Sequence, residues 1–168
     1  MLDQGIHLVD LIRLFGGEFD KVMSVVSNDY WGFDVEDNAY AIMRSNNNVV
    51  AMLHSSATQW RHRFSLDVTL ERGALILSGI LSGSKSYGSE TLTVVQADPL
   101  HDDGDPKEQM TRYNEDPSWR DEINEFADCI LNDKQVVHGS ANDALETMKL
   151  VERIYKADNN WRTYLEST

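Results

Sequence analysis

The chain has 168 residues, enough for one ordinary domain with a buried core, and at 41% hydrophobic and 26% charged it has the composition of a folded, soluble protein. A formal net charge of -13, from 28 acidic and 15 basic residues, repels phosphate backbones and anionic lipid, which argues against nucleic-acid and membrane-surface roles. No apolar run approaches the roughly 18 residues that a membrane helix needs, and Asp3, His7 and Asp10 interrupt any export-signal pattern at the start. A single cysteine, Cys129, leaves no internal disulfide framework and fits a reducing compartment, so the expected location is the cytoplasm.

The chain opens inside a helix pattern. Leu8, Leu11, Ile12 and Phe15 follow the spacing of a core-facing stripe, and Gly16-Gly17 stops it. Beginning within an element suggests a segment taken from something longer. From Asp20 to about Gln96 the apolar period changes from 3.6 to 2. Strands are predicted at 21–27, 38–44, 49–55, 64–70, 74–77 and 91–95. Asn46-Asn47-Asn48 and Arg72-Gly73 read as hairpin turns, and connections this short make the sheet largely antiparallel.

Residues 97–116 are polar, with Pro99, Pro106 and several aspartates, and read as a long surface loop. Two helices follow. Ser118 caps the first, whose apolar face is Trp119, Ile123, Phe126, Ala127 and Ile130. Ser140 caps the second, with Ala141, Ala144, Leu145, Met148, Val151 and Tyr155 at helical spacing. The predicted fold is α+β: a single domain over 1–168, with an open, mostly antiparallel sheet carrying helices on one face.

Chemistry concentrates at the head of the chain. Asp3 and His7 stand four apart, which on a helix puts both side chains on one face, with Asp10 on the same stripe. An imidazole takes a proton from a hydroxyl near neutral pH, and a carboxylate beside it orients the ring and stabilises the imidazolium. Gly5 between them leaves room for a ligand. Spacing alone also allows a plainer role, with Asp3 a first-turn acid favoured by the helix dipole and His7 a packing residue.

The stretch Leu2 to Gly16 resembles the helix that opens the C-terminal domain of the Gfo/Idh/MocA oxidoreductase family, which includes glucose-fructose oxidoreductase and inositol 2-dehydrogenase. The resemblance continues through Val35-Glu36-Asp37-Asn38-Ala39, and through Leu70-Glu71-Arg72-Gly73-Ala74-Leu75, where Leu70 replaces a glycine. Residues 121–128, 139–145 and 148–155 look like the family's closing helices. It implies the substrate-binding half of an enzyme that moves a hydride between a sugar or polyol carbinol and NAD or NADP. By that resemblance His7 is the general base for oxidation and the acid for reduction, and Asp3 orients it or the substrate.

The resemblance also implies a preceding dinucleotide-binding domain and a lysine. This sequence shows neither that domain's G-x-G-x-x-[GA] fingerprint nor a Glu-Lys-Pro lysine motif: Gly79, Gly83 and Gly88 have the wrong spacing for the fingerprint, so the segment alone is expected to hold no cofactor and to be inactive. Trp60, Arg61 and His62, between two strands, are candidate substrate contacts, since an aromatic ring stacks on a sugar face and the basic groups bond its hydroxyls or a phosphate; a solvated loop with its Trp packed on the sheet is the alternative. A homodimer or homotetramer is expected through the free sheet face, with Tyr40, Ile42, Met52 and His54 exposed on it.

Two other readings are set beside this one. One is a catalytically silent binding or oligomerisation module of the same fold. The other is a hydrolase that grips a metal with Asp3, His7 and Asp10. Weaker motifs point to chance or to solvated turns: Ser82-Gly83-Ser84-Lys85 lacks the partner motifs of acyl transfer, and His101-Asp102-Asp103-Gly104-Asp105 lacks the spacing of a calcium loop. No metal ligand set is expected, and Cys129 is expected to pack.

Overall fold

A computed structural model describes residues 1–82, 84, 86–98, 100 and 104–167, the last four by backbone alone. Gly83 and Lys85 of the Ser-x-x-Lys match, and His101, Asp102 and Asp103 of the acidic turn, lie outside the described residues. The chain divides into two compact units, one formed by Met1–Gln59 with Val137–Thr168 and the other by Trp60–Val136.

The first unit holds helix α1 (Gly5–Gly16), strands β1 (Phe19–Ser27), β2 (Asn38–Ser45) and β3 (Val50–Ser56), and two further helices. The strands form one antiparallel sheet in the order β1-β2-β3, joined between β2 and β3 by the expected asparagine turn, where Asn48 adopts φ 62°. Strict alternation in β2 puts Ala39, Ala41, Met43 and Ser45 inside and Tyr40, Ile42 and Arg44 outside. The inner face packs on α1 and on α3 (Ala141–Ala157), with α4 (Asn159–Ser167) following. Phe19, Met43, Val9, Leu150, Val151 and Ile154 are the largest fully buried side chains of this core.

The buried stripes differ from those predicted. On α1 the inward face is Gly5, Val9, Ile12, Arg13 and Gly16, turned away from the Leu8-Leu11-Phe15 line. Glycine is the reason. A Cβ on Gly5 would lie 2.6 Å from Ser55 Oγ, and one on Gly16 would collide with the Phe19 ring, so the helix seats its bare positions closest to the sheet. Gly5 is therefore a packing glycine and not a space left for ligand. On α3 the side chains of Thr147, Leu150, Val151, Ile154 and Tyr155 are buried while Leu145 and Met148 stay exposed. Its Ser140 cap forms as predicted, accepting from Asp143 N at 3.2 Å. Helix α4 was not predicted. Asp158 stands just before it, and its carboxylate accepts from Asn160 N and Trp161 N at the helix head and from Val26 N in β1 at 2.8 Å.

Arg13 joins the layers. Its buried guanidinium donates to Glu18 at 2.6 Å, to Thr147 Oγ1 at 2.6 Å, and to both the backbone and carboxylate oxygens of Asp143 at 3.1 Å. The Glu18 bond above all, reinforced by Asp143, raises the guanidinium's affinity for its proton against the opposing effect of burial.

The second unit carries β4 (Ser65–Leu70), β5 (Gly73–Ser78), β6 (Glu90–Gln96) and β7 (Lys107–Tyr113), antiparallel in that order, and α2 (Ser118–Leu131). The α+β class and antiparallel pairing hold, with the strands shared between two sheets. Three local expectations fail. The predicted loop 97–116 contains β7: this strand is exposed along its whole length and shows no apolar alternation, and its hydrogen-bond ladder to β6 defines it. Ser118 is the first helical residue of α2 and not its cap; Asp116 accepts from Ser118 N and Oγ instead. The apolar face of α2, with Trp119, Ile123, Phe126 and Ile130, is exposed. The buried residue is Cys129, over which the chain doubles back through Lys134 N to Cys129 O and Cys129 Sγ to Gln135 O.

Replacing Arg13 with Ala removes donors from Thr147 and the Asp143 backbone together. It is expected to lower stability by about 2–3 kcal/mol, below the range for fully buried ion pairs because Glu18 and Asp143 are half-exposed and stay hydrated. Thermal unfolding monitored by circular dichroism measures this, as a drop in Tm of about 4–12 °C.

Candidate functional site

The head of α1 is set by contacts behind it. Gly5 rests on Ser55 at the end of β3, and the Tyr155 phenol of α3 sits by the Leu2 backbone. Burial pushes this phenol's pKa up to about 12, with the Leu2 contact opposing. Asp3 stands in the turn just before Gln4, which occupies the N-cap position, and His7 is in the first turn of the helix. Both side chains are exposed, and among the described residues no hydrogen bond links them to each other. An exposed imidazole and carboxylate a turn apart, backed by a rigid floor, can meet a hydroxyl-bearing ligand from solvent. Asp10 does not join them. Thr147 Oγ1 donates to it at 2.8 Å and Arg13 Nη1 lies 3.6 Å away, so it belongs to the structural network.

Trp60, Arg61 and His62 fall in the second unit, in the connection ahead of β4. Trp60 is fully exposed and does not pack on a sheet, and the His62 ring sits 5.1 Å from that of Tyr87. Among the described residues no cluster of three or more His, Cys, Asp or Glu could hold a metal ion.

One feature escaped the sequence reading. The connection between β1 and β2 holds Tyr30, Trp31, Phe33 and Val35, all more than half exposed. The signal was present as Tyr30-Trp31-Gly32-Phe33 in a segment that alternation left unassigned. Asp37, 4% exposed, organises this loop: its carboxylate accepts from Tyr30 N at 2.8 Å, Trp31 N at 3.1 Å and Asn38 Nδ2 at 2.9 Å. Asn28 Nδ2 donates to Phe33 O at 2.7 Å, and Gly32, at φ 65°, makes the turn. Burial opposes ionisation of Asp37, but these donors outweigh it and hold its carboxyl below the ordinary range. Trp31 and Phe33 stand parallel, 6.4 Å apart, and with Val35, Glu36, Asp37 and Ala57 they line a pocket of about 310 Å³.

Ladder register relates this pocket to α1. Ser27 pairs with Asn38 and Asn38 with Ser56, so the loop springs from the sheet edge where Ser55 supports Gly5. Pocket and Asp3–His7 share one end of the first unit.

Residues 1–76 match the family model described as the GFO/IDH/MocA C-terminal domain, the family that the sequence resembles. No curated protein matches the chain. Among solved structures it is similar to UDP-N-acetylglucosamine 3-dehydrogenase from Acidithiobacillus ferrooxidans (18% identity, TM-score 0.74), covering 95% of this chain and 47% of that one. It is likewise similar to aldose-aldose oxidoreductase from Caulobacter crescentus complexed with glycerol (20%, 0.69; 93% and 44%). A third is a levoglucosan dehydrogenase in complex with NADH and levoglucosan (14%, 0.72; 92% and 47%). At such identities the likeness establishes the fold. The chain spans slightly under half the length of these proteins.

Asp37→Asn tests the loop. Because the folded-state carboxyl ionises more readily than the unfolded one, its stabilisation is present above the unfolded value of about 3.9 and is lost as pH falls through the lower folded value. The variant is expected to lose about 1–3 kcal/mol at pH 7 and progressively less towards pH 3, as read by urea unfolding at each pH.

Proposed function

We propose that this chain is the substrate-binding C-terminal domain of an NAD(P)-dependent oxidoreductase acting on a sugar, polyol or related carbinol. The observation that carries the reading is the placement of Asp3 and His7. Both are exposed at the head of α1, within the segment that matches the family model and beside a formed pocket. That similar folds occur in a levoglucosan dehydrogenase and an aldose oxidoreductase supports it.

The described residues do not build a cradle for the dinucleotide. Every strand pairing among them is antiparallel, whereas that cradle needs a parallel strand-helix-strand unit with its glycine-rich turn. The nicotinamide is therefore assigned to another part of a longer parent protein, and this chain's role is to hold the carbinol and move its proton. His7 accepts the hydroxyl proton when the carbinol is oxidised and returns it when the carbonyl is reduced. Asp3 orients the imidazole or the substrate. Trp60, Arg61 and His62 are further proposed substrate contacts. In the parent protein His7→Ala is expected to lower kcat about 100-fold or more, with NAD(P) affinity nearly unchanged in a fluorescence titration; near-normal turnover contradicts the assignment.

The outer face of the first sheet is proposed as the contact between copies. Rows Met23-Ile42-Met52 and Val25-Tyr40-His54 cross all three strands, and Tyr40 stacks on His54 at 4.3 Å. A contiguous apolar surface of this kind is unusual on a free monomer. Ile42→Lys with Met52→Lys is expected to convert the oligomer to monomer in light scattering.

A further inference from the structure

We propose that the free edge of β7 pairs with β7 of a second copy, antiparallel about a two-fold axis at Met110, joining two four-stranded sheets into one. The contact lies in the second unit and shares no residue with Asp3, His7 or the outer face of the first sheet. It therefore stands apart from the function and the contact proposed above.

The edge is open. β7 ends its sheet, is exposed at all seven positions, and pairs with β6 in an unbroken register with no bulge and no proline. A straight strand of this kind turns alternate N–H and C=O groups away from its neighbour. Among the described residues no side chain or loop amide bonds to Lys107–Tyr113 from outside the sheet. The edge at β1 is treated differently. There Asp158 accepts from Val26 N at 2.8 Å, Arg153 donates to Phe19 O at 2.6 Å, and the register shifts between Phe19 and Lys21. Side chains and an irregularity thus close that edge, and nothing comparable closes β7.

Charge names the partner and fixes the register. Glu108 and Arg112 lie two residues either side of Met110, on one face of the strand. With Met110 on the axis, each Glu108 stands opposite the other copy's Arg112, so one substitution site contributes to two ion pairs. Lys107 then stands opposite Tyr113, an ammonium beside an aromatic ring, and Gln109 opposite Thr111. Other registers lose this match. A slip of one residue sets Lys107 against Arg112 or Glu108 against Tyr113, and a slip of two leaves Glu108 facing Met110 or Asn114. Parallel pairing in register sets Glu108 against itself. The strand is complementary to its own copy in a single arrangement. One strand pair covers less area than a permanent dimer needs, so the association is weak and concentration-dependent.

Sedimentation equilibrium at millimolar concentration tests this on the 168-residue chain carrying Ile42→Lys and Met52→Lys, which removes the first-sheet contact. The chain is expected to form dimers. Glu108→Arg and Arg112→Glu should each weaken them about tenfold or more, and the double variant, with the two charges exchanged, should restore them. Circular dichroism is expected to stay unchanged, since both side chains are exposed. In NMR, alternate amides of Lys107–Tyr113 should exchange with solvent about tenfold more slowly at millimolar than at micromolar concentration. The proposal is overturned if the chain stays monomeric, if either single reversal leaves the dimer intact, or if the double reversal fails to restore it. Concentration-dependent protection in α2 or β4, with β7 unprotected, overturns it equally.

Discussion

Arg13 is the interaction on which the candidate site depends. One buried guanidinium reaches Glu18 beyond the end of α1, Thr147 and Asp143 on α3, and the neighbourhood of Asp10 on its own helix. A buried cation is unfavourable unless its donors are met, and here the partners that meet them come from two helices and the turn between α1 and β1. Helix α1 can then rotate or slide only by breaking several charge-assisted bonds at once. The same rotation that buries Arg13 puts Gly5 on Ser55 and turns His7 outward. The site's geometry is a consequence of that anchoring.

A buried carboxylate does comparable work at the other side of the site. Asp37 stands where β2 begins and gathers the amides of the aromatic loop, so that Trp31 and Phe33 are presented and not collapsed onto the sheet. Both centres are buried charges satisfied almost entirely by nearby donors or acceptors. Both also act on what stands beside them: Arg13 on the helix head, Asp37 on the pocket wall. The helix head and the aromatic loop are thus held in place by separate polar networks, and a change in one network need not disturb the other.

Much of this was legible from the chain. Alternation located β1 to β6 because each of them pairs within a sheet and most carry recognisable apolar positions, and the asparagine turn and the Ser140 cap follow from local chemistry. What periodicity misread shares a cause: it counts apolar residues and overlooks small and polar ones that pack. Gly5, Gly16, Arg13 and Thr147 are inward positions that hydrophobicity ranks as neutral or outward. Strand β7 is polar on both faces and is held by its neighbour's backbone, so nothing in its own seven residues announces it. The Asp3–His7 pair was visible by spacing, but its chemical meaning came from resemblance. The aromatic loop was missed because its rings follow neither period, being held by hydrogen bonds to Asp37 instead.

The central claim is that the head of α1, with His7 as its proton-handling group, faces the reacting carbinol. The most direct test is a crystal structure of the longer parent protein with its nicotinamide cofactor and a bound sugar. The account predicts a His7 ring nitrogen within about 3.2 Å of the substrate oxygen, or linked to it by one water. A sugar held with its reacting carbon at the nicotinamide and His7 beyond the reach of a single water would contradict it.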